Sequence, residues 1–432
     1  MPAPRVGSET GLLHKVVVHT PGREISHVSP ANQREFGFND ILYERYATRE
    51  HDTLVALLRD VFDVEVLQFR DLLSDALTRA NSMDRLRLLQ TVAQIEGLEP
   101  REQERLLEFN ENGGNGGVQA ATDRLIHGEL VRSDASVSEF LNHNLYHLPP
   151  LPNLMLVRDL AAVVHDHLFV AWNAVPVRRR ENLLWRFILQ YSGMLSDLDW
   201  SNWLVDDLEM PNVPLYSLDG GNIVQPAPNV VVVGQSARTG AEAIGKLTGW
   251  LGEHAQTETH LFIVELPQPI EHLDTVLTML SHDECLVFPP SLFGNGPESV
   301  NVLHVTFRPG GETQSVRPPE LLGPLGEALG VRLRPVSCGG ENPLEQRREQ
   351  WWGGACVLAV APGKLIAFRS AQRTLAELEA HGYARLESES VLAGESDPHA
   401  HEKCVILVRG SELSRARGGP RSYVLPLHRD SS

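Results

Sequence analysis

The sequence has few cysteines and lacks long apolar runs. Its four cysteines, Cys285, Cys338, Cys356 and Cys404, lie far apart without CxxC spacing, which argues against a disulfide framework and a zinc site. No apolar stretch approaches the roughly 20 residues that span a bilayer, and residues 1–10 lack a signal-peptide pattern. We therefore expect reduced thiols, no metal and a cytoplasmic location.

Basic residues are also scarce relative to acidic ones. The chain has 38 lysines and arginines against 56 aspartates and glutamates, and its net charge of −18 is spread without a basic stripe. This argues against nucleic acid and membranes as partners and leaves small cationic ligands open. No phosphate-cradling glycine-rich loop is present, so no organic cofactor is expected.

Short β-rich runs alternate with helical patterns along most of the 432 residues, of which 42% are apolar. A strand is predicted at 15–19, a helix at 50–61 and a strand at 64–69. Residues 71–143 then have helical spacing, interrupted by a turn-rich segment at 111–117. The pattern predicts an α/β protein whose strand-bearing part is split by a helical insertion.

After Pro149 the β-rich runs return, with helical patterns between several of them. The predicted strands are 161–170, 230–233, 261–265, 286–288, 302–307, 356–360, 365–368, 405–408 and 423–427. These segments share no alignable motif, so no internal repeat is visible in the sequence.

Five polar signatures stand at the ends of β-rich segments. They are Asn153–Asp159, Arg178–Glu181, Asp219–Asn222, His272–Asp274 and Arg415–Ser422. Alone, each has a commoner explanation as a turn, a chance pair or a solvated face. Together they supply carboxylates that can hold a guanidinium and separated arginines that can hold a carboxylate. An amino acid that ends in a guanidine fits this inventory.

The order and spacing of these segments resemble the arginine deiminase family over nearly the whole chain. Further likenesses are Gly11–Glu24, Phe38–Asp40, Glu349–Trp351, Gly410–Gly419 and Leu427–Asp430. The resemblance implies a pentein fold, a five-bladed α/β propeller with an inserted helical subdomain. It assigns 71–147 to the insertion and 1–70 with 148–432 to the propeller. A homo-oligomer is also implied.

The family's chemistry is implied for the matching residues. In the family, a cysteine thiolate attacks the guanidinium carbon of arginine, ammonia leaves, and water releases citrulline. His272 matches the histidine that acts as acid and base, Asp159 matches the first aspartate that clamps the guanidinium, and Asp274 matches the aspartate of the His-x-Asp pair. The residues that match substrate contacts at or near the α-carboxylate end are Asn153, Arg178, Arg238 and Arg417.

Four positions depart from the family pattern, and all fall on its chemistry. Ser422 stands at the nucleophile position, Asp219 replaces a glutamate, Asn222 replaces an acidic residue, and Cys356 replaces an asparagine that contacts substrate. A serine hydroxyl has no anion near neutral pH and needs an adjacent base, for which His272 is the family-matched candidate. The loss of an acid at Asn222 weakens the hold on a guanidinium.

Two interpretations stay open. In the first, the protein binds, and hydrolyses or otherwise converts, arginine or a related guanidino or ureido amino acid, with Ser422, Cys356 or water as the nucleophile. In the second, it is a catalytically inactive pseudoenzyme, either a ligand sensor or a partner subunit of an active enzyme. A purely structural partner is a third interpretation that no motif supports. In the first two, the expected ligand is a small amino-acid-like molecule.

Overall fold

The computed structural model describes residues 5–111, 115–130, 146–198, 200–201, 216–294 and 296–431. The strands in these ranges, in chain order, are β1 (Arg5–Val6), β2 (Leu13–Val18), β3 (Glu65–Gln68), β4 (Glu129–Leu130), β5 (Tyr146–Leu148), β6 (Ala161–Val164), β7 (His167–Val170), β8 (Trp200–Ser201), β9 (Ile223–Ala227), β10 (Val230–Gln235), β11 (Thr259–Glu265), β12 (Leu277–Met279), β13 (Glu284–Val287), β14 (Asn301–Phe307), β15 (Thr313–Val316), β16 (Arg334–Ser337), β17 (Leu358–Ala361), β18 (Lys364–Phe368), β19 (Ala384–Glu387), β20 (Cys404–Val408) and β21 (Leu425–Arg429).

The α-helices of the described ranges vary from a single turn to nearly four turns. They are α1 (Arg23–Ser26), α2 (Glu44–Ala56), α3 (Phe69–Arg79), α4 (Ser82–Ile95), α5 (Pro100–Glu111), α6 (Asn115–His127), α7 (Arg179–Tyr191), α8 (Ala241–His254), α9 (Pro289–Leu292), α10 (Leu322–Leu329), α11 (Pro343–Trp351), α12 (Gln372–Ala380) and α13 (Ser388–Leu392). Within the part of the chain that is described, no helix has the length and apolar composition needed to cross a bilayer.

Five sheets in the described ranges share one connection pattern. In each, an antiparallel pair is followed by a strand that runs parallel to the pair's second member. These sets are β21–β2 with β3, β6–β7 with β8, β9–β10 with β11, β12–β13 with β16, and β17–β18 with β20. A long connection precedes each parallel strand because parallel pairing needs a crossover. This repeat in topology is what the five-bladed arrangement predicts.

The last strand completes the first sheet. β21 lies between β1 and β2, parallel to the first and antiparallel to the second. Val6 is opposite Arg429 on one side, and Val17 is opposite Leu425 on the other. The turn that leads into β21 is therefore held against residues from the start of the chain.

Helices α3 to α6 follow β3 and pack through their apolar faces. Leu72, Leu88 and Leu125 share one buried cluster with Trp185 of α7 and Leu425 of β21. Burial of this apolar surface, rather than helix propensity alone, stabilises these helices. Because the cluster joins the helices to the sheets, the domain boundaries proposed at 71 and 147 stay a prediction.

Several predicted element limits need correction. The run 161–170 is a hairpin and not one strand, because His165, with a φ of 60°, turns the chain between β6 and β7. The runs 356–360 and 423–427 begin too early, since Cys356 precedes β17 by two residues and Tyr423 ends the turn before β21. The predicted turn at 111–117 is too long, because α5 includes Glu111 and α6 begins at Asn115, and residues 112–114 lie outside the described residues. Residues 131–143 of the predicted helical stretch lie outside the described residues.

Short turns precede the first strand of each antiparallel pair. The 3-10 turns Val157–Leu160, Gly220–Asn222, Leu273–Thr275 and Pro420–Tyr423 lead into β6, β9, β12 and β21, and residues 353–357 lead into β17. Several of these turns pack directly against one another. The polar signatures, far apart in sequence, thus meet at one end of the sheets.

Close packing between two of these turns requires glycine at position 220. A Cβ atom on Gly220 would lie 2.2 Å from the carbonyl oxygens of Arg158 and Ala161, which are backbone atoms and cannot easily yield. We expect Gly220→Ala to lower the free energy of unfolding by about 1–3 kcal/mol, measured as a lower midpoint of thermal denaturation.

Gly245→Ala in α8 is the matched control. Outside its own helix, no atom of the described residues lies within 4 Å of the position of its Cβ. Alanine is favoured over glycine in a helix by up to about 1 kcal/mol, so this variant should be as stable as the parent or more so. Equal losses of stability in both variants would contradict the packing argument.

Candidate active site

A cleft opens where the turns meet. Its empty space is about 610 Å³ when the adjoining open solvent is included. Most of the predicted site residues line it: Asn153, Asp159, Arg178, Arg238, His272, Asp274, Arg417 and Ser422. Asp219, Asn222 and Cys356 do not line the cleft, because all three are fully buried behind its wall.

His272 is held between two carboxylates. Its Nε2 atom lies 3.0 Å from Asp219 Oδ2 and 3.6 Å from Asp159 Oδ1. Burial alone would lower the imidazole pKa, but the charge of Asp159 and the hydrogen bond to Asp219 raise it to about 9. His272 is therefore a cation at neutral pH. In that state it can donate a proton but cannot accept one from a hydroxyl.

The Asp219 carboxylate is fixed from its other side by Asn173. Asn173 Nδ2 donates to Asp219 Oδ1 at 2.7 Å, and the backbone N–H of Asp219 donates to Thr239 Oγ1 at 3.2 Å. These contacts leave Oδ2 aimed at His272. No sequence pattern had indicated Asn173, which lies in the connection after β7.

Asp159 is already paired with a guanidinium of the protein. Arg178 Nη1 donates to Asp159 Oδ2 at 2.6 Å, and Arg178 Nε donates to Glu181 Oε2 at 2.9 Å. Burial would lower the pKa of Arg178, but the charges of Glu181 and Asp159 raise it above its usual value. Arg178 was predicted to hold a ligand's carboxylate, yet its guanidinium is committed to two carboxylates of the chain itself.

Asp274 has the same arrangement with a second guanidinium. Arg421 Nη1 donates to Asp274 Oδ2 at 2.7 Å, while its Nη2 and Nε donate to the carboxylate of Glu9 at 2.9 and 3.2 Å. Arg158 Nη2 also donates to Glu9, at 2.9 Å. Burial would raise the Glu9 pKa, but the charges of Arg421 and Arg158 hold it well below its usual range. The sequence had not indicated Glu9 or Arg421 as site residues.

Ser422, at the nucleophile position, has its side chain on the cleft wall. Among the described residues, the hydrogen-bond partner of its Oγ is Cys356 Sγ, at 3.4 Å, and no hydrogen bond joins it to His272. Burial raises the pKa of the Cys356 thiol to about 12. The reactive thiolate is therefore scarce at neutral pH, and no described residue acts as an activating base for Ser422 or Cys356.

Asn222 supports the segment that carries His272. Its Nδ2 donates to Thr239 Oγ1 and to the carbonyl of Glu271, both at 3.0 Å, and its Oδ1 accepts from the backbone N–H of Leu273 at 2.9 Å. The amide is satisfied on both sides by the protein. It is thus a positioning group, and the cleft gains no carboxylate from this turn.

Two arginines and one glutamate stand nearer the mouth of the cleft. Arg238 Nη2 donates to Glu271 Oε2 at 3.1 Å. The guanidinium carbon of Arg417 lies 4.0 Å from the ring centre of Trp351, a cation–π contact. Arg417 has a φ of 64°, a left-handed conformation that is uncommon outside glycine and occurs often at functional sites.

Buried polar contacts fix the loops on both sides of this mouth. The carboxylate of Glu50, in α2, accepts from the backbone N–H groups of Ser411, Glu412 and Leu413, each at 3.0 Å, and so anchors the loop that leads to Arg417. Asn153 Nδ2 donates to the carbonyl of Phe36 at 2.7 Å on the other side. Glu50 had no signal in the sequence, because one glutamate in an amphipathic helix looks like any other.

Asp159, Asp219 and His272 also form a group whose ligand atoms lie within 4.8 Å of one another. A histidine must be neutral to bind a metal ion. Here the two carboxylates favour the protonated ring, and Asp159 is bound to Arg178 as well. The group therefore has the character of an ion-pair cluster and does not fit a resident metal.

Comparison with known proteins covers the whole chain. The family profile described as arginine deiminase matches residues 35–429. An arginine deiminase from Listeria welshimeri is 30% identical over 432 residues, which cover 99% of this chain and 98% of the relative. An arginine deiminase from Bacillus cereus strain B4264 is 29% identical over 441 residues, with 98% of each chain covered.

A solved structure extends the likeness to the fold. An amidinotransferase of the saxitoxin biosynthetic pathway from Microseira wollei has a TM-score of 0.51 and 13% identity, and it covers 99% of this chain and 98% of its own. Identity this low bears on the fold alone. The predicted pentein fold is confirmed.

The two carboxylates around His272 lead to a prediction about pH. The folded pKa of about 9 exceeds the ordinary value of about 6.5, so the native state binds the proton more tightly than the unfolded chain. The resulting stability, on the order of 3 kcal/mol, is fully present below about pH 6.5 and is lost as the pH rises through about 9.

The ring signals of His272 in an NMR titration should therefore move near pH 9, and in Asp219→Asn they should move at a lower pH. His254→Gln, at the exposed end of α8, serves to assign a histidine outside this cluster. A His272 pKa near 6.5 in the parent protein would contradict the assignment.

Proposed function

Because the chain belongs to the arginine deiminase family, we propose that it binds an amino acid of the arginine type, with a guanidino or ureido end, and does not hydrolyse it by the family's cysteine route. The observation that carries this proposal is the hydrogen bond of Ser422 Oγ to Cys356 Sγ, at 3.4 Å, in place of a bond to a base. The described residues of the cleft include binding groups but no activated nucleophile.

Neither candidate nucleophile has the electrostatic surroundings that covalent chemistry needs. A serine is activated by a neutral imidazole within hydrogen-bond reach. His272 is cationic and bonded to Asp219, so it is not such a base. Cys356 is buried behind the wall with a thiol pKa of about 12. A water molecule acting as the nucleophile would also lack a base, because His272 is already protonated.

The groups suited to binding, by contrast, are present. Arg238 and Arg417 face the cleft near Glu271. We assign the two arginines to the α-carboxylate of the ligand and Glu271 to its α-amino group. Asp159, Asp274 and His272 line the same cleft and are assigned to the other end of the ligand. The relatives named arginine deiminases supply the ligand class. A homo-oligomer and a cytoplasmic location remain part of the proposal.

The proposal predicts binding without product. Purified protein incubated with L-arginine should yield no citrulline by mass spectrometry, whereas isothermal titration calorimetry with a panel of guanidino, ureido and amidino amino acids should detect binding. Formation of citrulline would overturn the proposal, and its loss in Ser422→Ala would then establish serine chemistry. The proposal would also be overturned if none of these compounds bound to the protein.

If Arg417 binds the α-carboxylate of the ligand, its replacement should weaken binding more than replacement of Arg415, two positions earlier. Arg417→Ala should weaken ligand binding by roughly 10- to 100-fold, because a charge-assisted hydrogen bond contributes about 1.5–3 kcal/mol. Calorimetric titration of both variants with the same ligand gives the comparison.

Arg415→Ala is the control, since Arg415 pairs with Asp40 at 2.8 Å and with Glu412 at 3.1 Å and does not line the cleft. It should bind within about twofold of the parent, as expected of an exposed ion pair. Similar losses in the two variants would show that the loop, rather than the Arg417 guanidinium, matters.

A further inference from the structure

Two aspartates, Asp159 and Asp274, line the inner end of the cleft, and a third, Asp219, is buried behind its wall. Each of the three lies within hydrogen-bond distance of a cation of the protein. The pairs are Asp159 with Arg178 at 2.6 Å, Asp274 with Arg421 at 2.7 Å, and Asp219 with His272 at 3.0 Å. A site built for a guanidinium needs carboxylates whose charge is not already matched. In this cleft the guanidinium groups of Arg178 and Arg421 already pair with Asp159 and Asp274.

The buried charges around the inner end of the cleft lie in two hydrogen-bonded groups, one around Asp159 and His272 and the other around Glu9 and Arg421. Together the groups contain five acidic side chains, those of Glu9, Asp159, Glu181, Asp219 and Asp274, and burial raises the pKa of Glu181 to about 7. They also contain five basic side chains, those of Arg158, Arg178, His272, Arg421 and Arg429, the last of which donates to the backbone carbonyl of Glu9, so no negative charge is left over. The raised pKa of His272 agrees with counting it as charged. A further buried cation would have no counter-charge, which is costly.

Position 222 could have supplied one more carboxylate, but it is an asparagine. The side-chain amide of Asn222 is hydrogen-bonded to Thr239, Glu271 and Leu273. Near the mouth, two cations, Arg238 and Arg417, stand against one acid, Glu271. Counted over the described residues, the site therefore carries a small excess of positive charge, which favours a ligand carboxylate and disfavours a second cationic group on the ligand.

We infer that the ligand ends in a neutral ureido-type group and not in a guanidinium, an inference that rests on the proposed function. A ureido group has an acceptor oxygen beside two donor nitrogens. It can donate to aspartates that are already paired and accept from the neighbouring cations without adding charge. The site is thus selective for a zwitterionic amino acid with a polar, uncharged end.

Two ligands of equal length and identical α-carbon groups test this selectivity. L-citrulline and L-arginine differ in one ureido oxygen in place of a guanidinium nitrogen, and calorimetric titration of the full-length protein with each at pH 7.5 compares them. We expect citrulline to bind at least tenfold more tightly, which corresponds to about 1.4 kcal/mol. Equal binding, or tighter binding of arginine, overturns the inference and leaves the proposed function standing. If neither binds, the inference fails, and binding of the other compounds of the panel decides the proposed function separately.

A pair of matched variants tests the cause of the selectivity. Arg421 and Arg158 are both buried, and both donate to Glu9 and to the carbonyl of Ile223. Among the described contacts, only Arg421 of these two arginines donates a hydrogen bond to Asp274. Arg421→Gln should thus release one carboxylate at the inner end of the cleft.

In Arg421→Gln the ratio of arginine to citrulline affinity should rise at least tenfold, whereas in Arg158→Gln it should stay within about threefold of the parent value. Circular dichroism and a thermal melt establish that each variant is folded. An unchanged ratio in folded Arg421→Gln, or an equal rise in both variants, overturns the inference. Should Arg421→Gln fail to fold, the comparison of the two ligands on the parent protein decides the matter alone.

Discussion

The buried carboxylate of Glu9 connects parts of the chain that the sheets alone would leave separate. It accepts hydrogen bonds from Arg158, before β6, and from Arg421, before β21, and both arginines also donate to the carbonyl of Ile223 at the start of β9. Through Arg421 the network reaches Asp274 in the cleft. Removal of one partner of a buried ion pair commonly costs about 3–5 kcal/mol, so this acid fixes the relative positions of three turns.

The repeated topology explains why the site assembles where it does. Each of the five antiparallel pairs begins after a turn, and the turns before β6, β9, β12 and β21 bear the polar signatures. A turn at the end of a strand can present a side chain whose backbone is held by the sheet behind it. Residues as distant in sequence as Asp159 and Ser422 thus line one cleft. The departures from the family pattern fall on these turns, which leaves the sheets unaffected.

Sequence reasoning predicted the fold and most of the cleft but not its internal pairing. The motifs around Asp159, His272, Asp274 and Ser422 predicted the cleft residues because strand ends and family spacing can be read along the chain. The partners of these residues could not be read in that way. Arg421 lies 147 residues from Asp274 and 412 residues from Glu9 in the sequence. The sequence alone also does not distinguish a buried charged residue from an exposed one.

The predicted roles of three residues changed for a similar reason. Arg178 was expected to hold a ligand, but Asp159 and Glu181 occupy its guanidinium. Asn222 and Cys356 were expected near the substrate, but full burial directs both towards the protein interior. Local pattern indicates which residues are polar. Which of them face the solvent and which face each other depends on the tertiary arrangement.

The position of β21 has a consequence for how the chain folds during synthesis. The first sheet pairs β2 with a strand at residues 425–429, so that sheet stays incomplete until those residues, more than 400 positions after β2, have left the ribosome. Until then β2 has an unpaired edge, which is open to wrong pairing and aggregation. Contacts of such long sequence separation also slow folding. The segment next to Ser422 is therefore the last part of the cleft to be synthesised, and its strand β21 covers the unpaired edge of β2.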